Sequence, residues 1–347
     1  MKAIIFSYTR RGARLSLLVR NCLQSLSYET EAFTLEKYAE VDKTLKISSS
    51  CSEDARQAFK DNQVIVYIGA CGIAVRAIAP FVKNKTVDPA VIAIDERGRY
   101  VIPLLSGHIG GANGIAFRIA EAIDAQPVIT TATDINGLFA VDEWAARNNV
   151  HISSMYAAKE LSSALVDGKN VGIISKYPTI GEMPAGIVMQ KDTRVGMVIG
   201  DNDDCQPFPI TLNLLPKIFY LGIGCRRGMA MENIEELVLK KLAEMNISLR
   251  AIAGVSSVDL KSDEQGLLAF ADKYHLPIKF FTSSELETQS GEFSSSEFVK
   301  QVVGVSNVCE RAAVAFSDGG RIILPKTSLN GVTLAIAKKE WQVNFKG

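Results

Sequence analysis

Short apolar runs and amphipathic stretches alternate along the chain. "KAIIFSYT" at the start has the pattern of a buried strand, and "RGARLSLLVRNCLQSL" behind it has helical spacing. "QVIVYIG" (Gln63–Gly69) is a second strand, rich in β-branched residues, followed by the helical "GIAVRAIAPFV". "AVIAID" (Ala90–Asp95) and "YVIPLLS" (Tyr100–Ser106) are two more strands. "IGGANGIAFRIAEAI" then reads as a helix and "QPVITT" as a fifth strand. Alternation of this kind predicts a parallel sheet covered by helices.

Beyond residue 135 the pattern changes. "GLFAVDEWAARNN" and "MYAAKELSSALVDG" read as helices, and "NVGIIS", "AGIVMQ", "VGMVIG" and "PITLNLLP" as short strands. From residue 217 the strand–helix alternation resumes. "KIFYLGIG" is a strand, and "MENIEELVLKKLAEM" is a helix with the apolar stripe Ile234, Leu237, Val238, Leu242 and Met245. "LRAIAGV" (strand), "DEQGLLAFADKY" (helix), "PIKFF" (strand) and "SNVCERAAVAF" (helix) follow, and "RIILP" and "GVTLAIAKK" pair as late strands. "SSELETQSGEFSSSEF" is the most polar stretch and is expected to be a loop. The expected fold is therefore multi-domain α/β: an N-terminal parallel-sheet α/β domain over 1–135, a small strand-rich middle region over 136–216 and a C-terminal α/β domain over 217–347.

Composition narrows the classes. The chain has 347 residues, with 38 basic and 38 acidic side chains, so there is no basic footprint for nucleic acid. The six cysteines form no C-x-x-C pair and there are only three histidines, which argues against a structural zinc site. No apolar stretch reaches membrane-spanning length, and a cytoplasmic location with reduced thiols is expected.

Candidate chemistry gathers at strand ends, where open α/β sheets bind their ligands. In "GACGIAVRAIAP", Gly69 and Gly72 turn the chain into a helix whose free N–H groups, with Arg76 one turn further in, suit an anion. In "LLSGHIGGAN", Ser106, Gly107, His108, Gly110, Gly111 and Asn113 follow a strand. Glycines there allow backbone amides to approach an oxyanion, and His108 has the pKa range of a general base. The plain alternative at both places is tight strand–helix packing. "ITTATD" brings Thr131 and Asp134, either as helix caps or toward the same crevice as His108. In "LGIGCRRGM", Gly222 and Gly224 precede Arg226 and Arg227, a pair suited to carboxylate or phosphate, while Cys225 reads more simply as a small buried residue. Asp259, Lys261 and Glu264 in "SSVDLKSDEQ" follow another strand, with a locally ion-paired helix start as the simpler reading.

Taken in order, "GACGIAVRAIAP", "PLLSGHIGGAN", "ITTATD", "YLGIGCRRG" and "SSVDLKSDEQGLLAFA" resemble the cobalt-precorrin-5A hydrolase family of anaerobic cobalamin biosynthesis over nearly the whole chain. The resemblance implies opening of a δ-lactone on a cobalt-bound tetrapyrrole and loss of a two-carbon fragment as acetaldehyde, contracting the macrocycle. It implies no cofactor beyond the cobalt carried by the substrate, and neighbouring pathway methyltransferases as possible partners. Several anion-accepting strand ends around one cleft would suit a substrate with acetate and propionate arms. On this reading His108 is the base, with Ser106 or Asn113 assisting. The amides of Gly107, Gly110 and Gly111 face the lactone oxygen or a side-chain carboxylate. Arg76, Arg226 and Arg227 hold carboxylate arms, and Asp259, Lys261 and Glu264 complete a C-terminal wall. Two other classes stay open: a non-catalytic corrinoid-binding or chaperone protein of the same pathway, and an α/β enzyme for a small phosphorylated ligand.

Overall fold

A computed structural model describes residues 1–48, 51–84, 87–107, 110–289, 293 and 307–345, with only the backbone described at 51, 52, 133 and 134. Its contacts divide the chain into two units, Met1–Glu143 and Trp144–Gly347.

The first unit is built on β1 (Lys2–Ser7), α1 (Arg10–Ser25), β2 (Glu29–Thr34), β3 (Lys46–Ile47), α2 (Cys51–Asp61), β4 (Val64–Ile68) and α3 (Cys71–Ile78). It continues through β5 (Ala90–Ile94), β6 (Tyr100–Leu105), α4 (Ala112–Ile123), β7 (Gln126–Pro127), α5 (Ala132–Ile135) and the start of α6 (Val141–Arg147). The seven strands lie in the order β3-β2-β1-β4-β5-β6-β7. Strands β4 and β5 are buried along their whole length, which matches their unbroken apolar runs. Alternate residues feed two cores: Val64, Val66 and Ile68 pack with α1 and α4 on one face, and Ile65 and Tyr67 with α2 and α3 on the other. Each large side chain buried in this way contributes roughly 1.5–3 kcal/mol.

The expected parallel sheet holds for β1–β5 and needs one correction beyond them. β6 runs antiparallel to β5, with Val91 opposite Leu105 and Ile94 opposite Val101, and β7 runs parallel to β6. The cause lies in the link: only Asp95–Arg99 join β5 to β6, far short of the dozen or so residues a parallel crossover needs. Asp95 fixes this turn by accepting from the backbone N–H groups of Arg97, Arg99 and Tyr100 at 2.7–2.8 Å. β7 also stops at Pro127, short of the predicted strand through Thr131.

The second unit holds two five-stranded sheets. The first comprises β8 (Val150–Ile152), β9 (Val171–Ser175), β11 (Ile187–Val188), β12 (Val195–Ile199) and β13 (Ile210–Pro216), with α7 (Met155–Val166) beside it and β10 (Thr179–Ile180) outside it. Its order is β11-β9-β12-β13-β8, parallel except for β8. The second is formed by β14 (Phe219–Cys225), β15 (Ile252–Val258), β16 (Ile278–Phe281), β17 (Arg321–Leu329) and β18 (Val332–Lys338), in the order β16-β15-β14-β18-β17. Its helices are α8 (Met231–Glu244), α9 (Gln265–Lys273), α10 (Ser283–Glu287) and α11 (Val308–Phe316). The chain end forms a separate two-stranded sheet. β19 (Val343–Asn344) pairs with β10, and Trp144 donates its indole N–H to the Asn344 carbonyl at 2.7 Å.

The first five residues of the polar stretch expected as a loop form α10, opened by a capping box between Thr282 and Glu285, and most of the remainder lies outside the described residues. Among the described residues, no helix is long and apolar enough to cross a membrane.

Candidate functional site

The turn after β6 is built around Ser106, which takes the left-handed conformation at φ 56°. A non-glycine residue there costs roughly 1–2 kcal/mol and needs surrounding support. The support is visible. Ser106 Oγ donates to the Asp88 carbonyl at 2.8 Å, and the Ser106 and Gly107 carbonyls accept from the N–H groups of Ala112 and Asn113 at 3.1 and 3.0 Å. A methyl at Gly110 would overlap the Ser106 β-carbon, so only glycine fits there. A methyl at Gly107 would stand 2.8–3.1 Å from the Asn113 amide group. Gly111, at φ 77°, starts α4.

Asn113 is buried, and its Nδ2 donates to Thr131 Oγ1 at 3.1 Å. The turn after β6 and the chain beyond β7 are therefore tied side by side. His108 lies outside the described residues, and so does the side chain of Asp134.

Gly69, Gly72 and Arg76 sit elsewhere. Gly69 donates its N–H to Ile94 O at 2.8 Å, at the carboxyl end of β5. Arg76 is exposed, and its guanidinium folds to 3.5–3.6 Å from where a Gly72 β-carbon would stand, over the first turn of α3. The Ser106 turn lies at the other end of β5, beside Ala90. Five residues of strand separate the two groups, about 16 Å. The reversal of β6 is the reason, and the expectation of one cleft fed by all these strand ends fails for this pair.

In the second unit, Arg227 pairs with Asp263 and, at 3.2 Å, with Glu264, and donates to Leu260 O at 2.6 Å. The Arg227 hydrogen bond holds the Asp263 carboxyl below its ordinary value. Glu264 is buried; Lys261 lies 3.5 Å from it, and it accepts the Gly228 N–H at 3.0 Å. This is more than a local ion pair, because it ties the loop after β14 to the loop after β15. Asp259 accepts the N–H of its neighbour Leu260 at 2.8 Å. The Arg226 N–H donates to Gly331 O at 3.1 Å.

Gly222 faces α11 so closely that a methyl would overlap the Cys309 carbonyl, and a methyl at Gly224 would come to 2.6 Å from Thr333 Oγ1. Burial pushes the Cys225 thiol up, against the pull of the Lys261 ammonium, which suits a small packed residue better than a nucleophile.

Sequence reasoning passed over Asp88. Its carbonyl takes the Ser106 hydroxyl, and both its carboxylate oxygens accept the Lys83 N–H at 3.1 Å. No glycine or motif marks it; the "DP" before the β5 run is the only local signal.

Comparison with known proteins covers all three regions. The cobalamin synthesis G N-terminal model matches residues 53–134, the cobalamin biosynthesis central region 139–216 and the cobalamin synthesis G C-terminus 219–337. Cobalt-precorrin-5A hydrolase of Salmonella typhimurium is 34% identical over 316 residues, covering 88% of this chain and 90% of that protein. The protein of the same name from Priestia megaterium is 28% identical, covering 96% of this chain and 94% of its own. A crystal structure of a cobalamin biosynthesis protein G homolog from Sulfolobus solfataricus is 22% identical, with a TM-score of 0.41, and covers 98% of this chain and 97% of its own. With its three regions matched in order and a relative similar along nearly its whole length, the chain belongs to the cobalamin synthesis G family, that of the cobalt-precorrin-5A hydrolases.

Proposed function

We propose that this chain is a cobalt-precorrin-5A hydrolase, which opens the δ-lactone of cobalt-precorrin-5A and releases acetaldehyde to give cobalt-precorrin-5B. The observation that carries the reading is similarity to a protein of that name along 88% of the chain. The reaction class is hydrolysis with cleavage of a carbon–carbon bond.

The chemistry divides between a base, an oxyanion site and the substrate's own ring. His108 takes a proton from water, and the hydroxide adds to the lactone carbonyl. Collapse of the adduct leaves a carboxylate and frees the ring-side hydroxyl. That hydroxyl then loses its proton, the carbon–carbon bond to the ring breaks, and acetaldehyde departs. The electron pair stays with the macrocycle, where the substrate's cobalt-bearing π-system accepts it, so the protein supplies no cofactor.

The strained turn after β6 supports this assignment. A left-handed serine held by two hydrogen bonds is the kind of pre-organised backbone that presents amides to developing negative charge. Ser106 and Asn113 act as its braces, and the amides of Gly107, Gly110 and Gly111 face the lactone oxygen.

Turnover in ¹⁸O-water tests the route. Attack at the acyl carbon places one ¹⁸O atom in a carboxylate of the tetrapyrrole product. An unlabelled tetrapyrrole product, or unchanged substrate, overturns it.

A further inference from the structure

The same end of the sheet carries a cavity of about 370 Å³ between α2, the segment after α3 and the approach to β5. That volume lies within the range of small-molecule sites, roughly 300–1,000 Å³. Arg56, Phe59 and Lys60 line it from α2 at i, i+3 and i+4, which puts them on one helix face. Phe81, Lys83 and Asp88 line the facing wall. The two rings meet at 6.1 Å with a 44° tilt, and the Arg56 guanidinium lies 5.9 Å from the Phe81 ring centre.

The charge is one-sided. Arg56, Lys60 and Lys83 have no acidic partner among the described residues. The one carboxylate in the wall, Asp88, is buried and turned to the Lys83 backbone N–H. The other flank of α2 is the opposite: a cavity of about 220 Å³ lined by Glu29, Glu31, Asp54 and Asp61 with Lys2, which repels carboxylates. Asp88 also links the basic cavity to the chemistry, since its carbonyl holds the Ser106 hydroxyl.

We infer that this cavity is a binding site for the tetrapyrrole substrate, with an edge of the ring against Phe59 and Phe81 and its carboxylate arms on Arg56, Lys60 and Lys83. The inference rests on the proposed function and names where that substrate sits. Aromatic faces beside unpaired cations match an apolar ring carrying carboxylates, and the position sets the ring beside the Ser106 turn.

The test replaces the three cations together, Arg56→Gln/Lys60→Gln/Lys83→Gln, and titrates cobalt-precorrin-5A by the ring's absorbance in a His108→Ala background. Exposed ion pairs are individually weak, and three together give a Kd about tenfold weaker, with the loss shrinking as salt is added. The charge-retaining Arg56→Lys/Lys60→Arg/Lys83→Arg keeps the parent Kd, and Lys83→Glu alone weakens binding further than Lys83→Gln. Unchanged Kd in the Gln variant overturns the site. So does an equal loss in Lys37→Gln/Lys43→Gln/Lys191→Gln, which removes the same charge elsewhere. Charge-dependent binding at the cavity in a protein whose wild type releases no acetaldehyde keeps the site and removes the hydrolase reading instead.

Discussion

Asn113 donates through its Nδ2 to Thr131 Oγ1 at 3.1 Å, joining the first turn of α4 to the chain leaving β7. Asn113 is buried, so loss of this bond leaves polar atoms short of partners in a dry place. In a double-mutant cycle of Asn113→Ala and Thr131→Val, the unfolding free energies are expected to show coupling of about 0.5–1.5 kcal/mol. Additive losses would mean that the bond contributes nothing in solution.

His108 is the proposed base. His108→Ala is expected to lower turnover by about 10²–10⁴-fold with an unchanged circular dichroism spectrum, and added imidazole should restore part of the loss. Near-normal turnover would pass the role to another group.

Gly222 and Gly114 give predictions of opposite sign. A methyl at Gly222 would overlap the Cys309 backbone carbonyl, which cannot swing aside as a side chain would. Gly222→Ala should cost about 3 kcal/mol or more. Gly114 lies exposed in α4 with open space around it, and Gly114→Ala should gain up to about 1 kcal/mol. Denaturant unfolding of both variants checks the pair.

Asp95 sets an acid limit on the β5–β6 hairpin. Burial alone would raise its carboxyl, but the N–H groups of Tyr100, Arg97 and Arg99 outweigh it, and the net direction is downward. A carboxyl whose folded value is lowered stabilises the protein above the ordinary value of about 3.9, and that stabilisation is lost as pH falls through the folded value. The protection of β5 and β6 amides, taken relative to their intrinsic exchange rates at each pH, should therefore fall on acidification in the wild type, and much less so in Asp95→Asn. Parallel curves for the two proteins would remove Asp95 from the account.

These predictions draw on sequence and structure unequally. The central strands were legible because β4 and β5 are unbroken apolar runs, buried on both faces. β2 was not, because "ETEAFT" alternates polar and small residues and shows no apolar run. The reversal of β6 was written in "DERGR", too short a link for a crossover, but alternation of strands and helices is blind to direction. That reversal decided which glycine turns share an edge. Within the site, glycines advertised the Ser106 turn. Arg56 and Lys60 carried no such mark, since an exposed basic face on a polar helix is ordinary until Phe81 and Lys83 come to stand opposite it.

The most direct test of the central claim is anaerobic incubation of the purified chain with cobalt-precorrin-5A, reading acetaldehyde through alcohol dehydrogenase and NADH. The account predicts one acetaldehyde for each tetrapyrrole consumed. Tight binding, seen in the ring's absorbance, with no acetaldehyde would contradict it and leave a corrinoid-binding protein in its place.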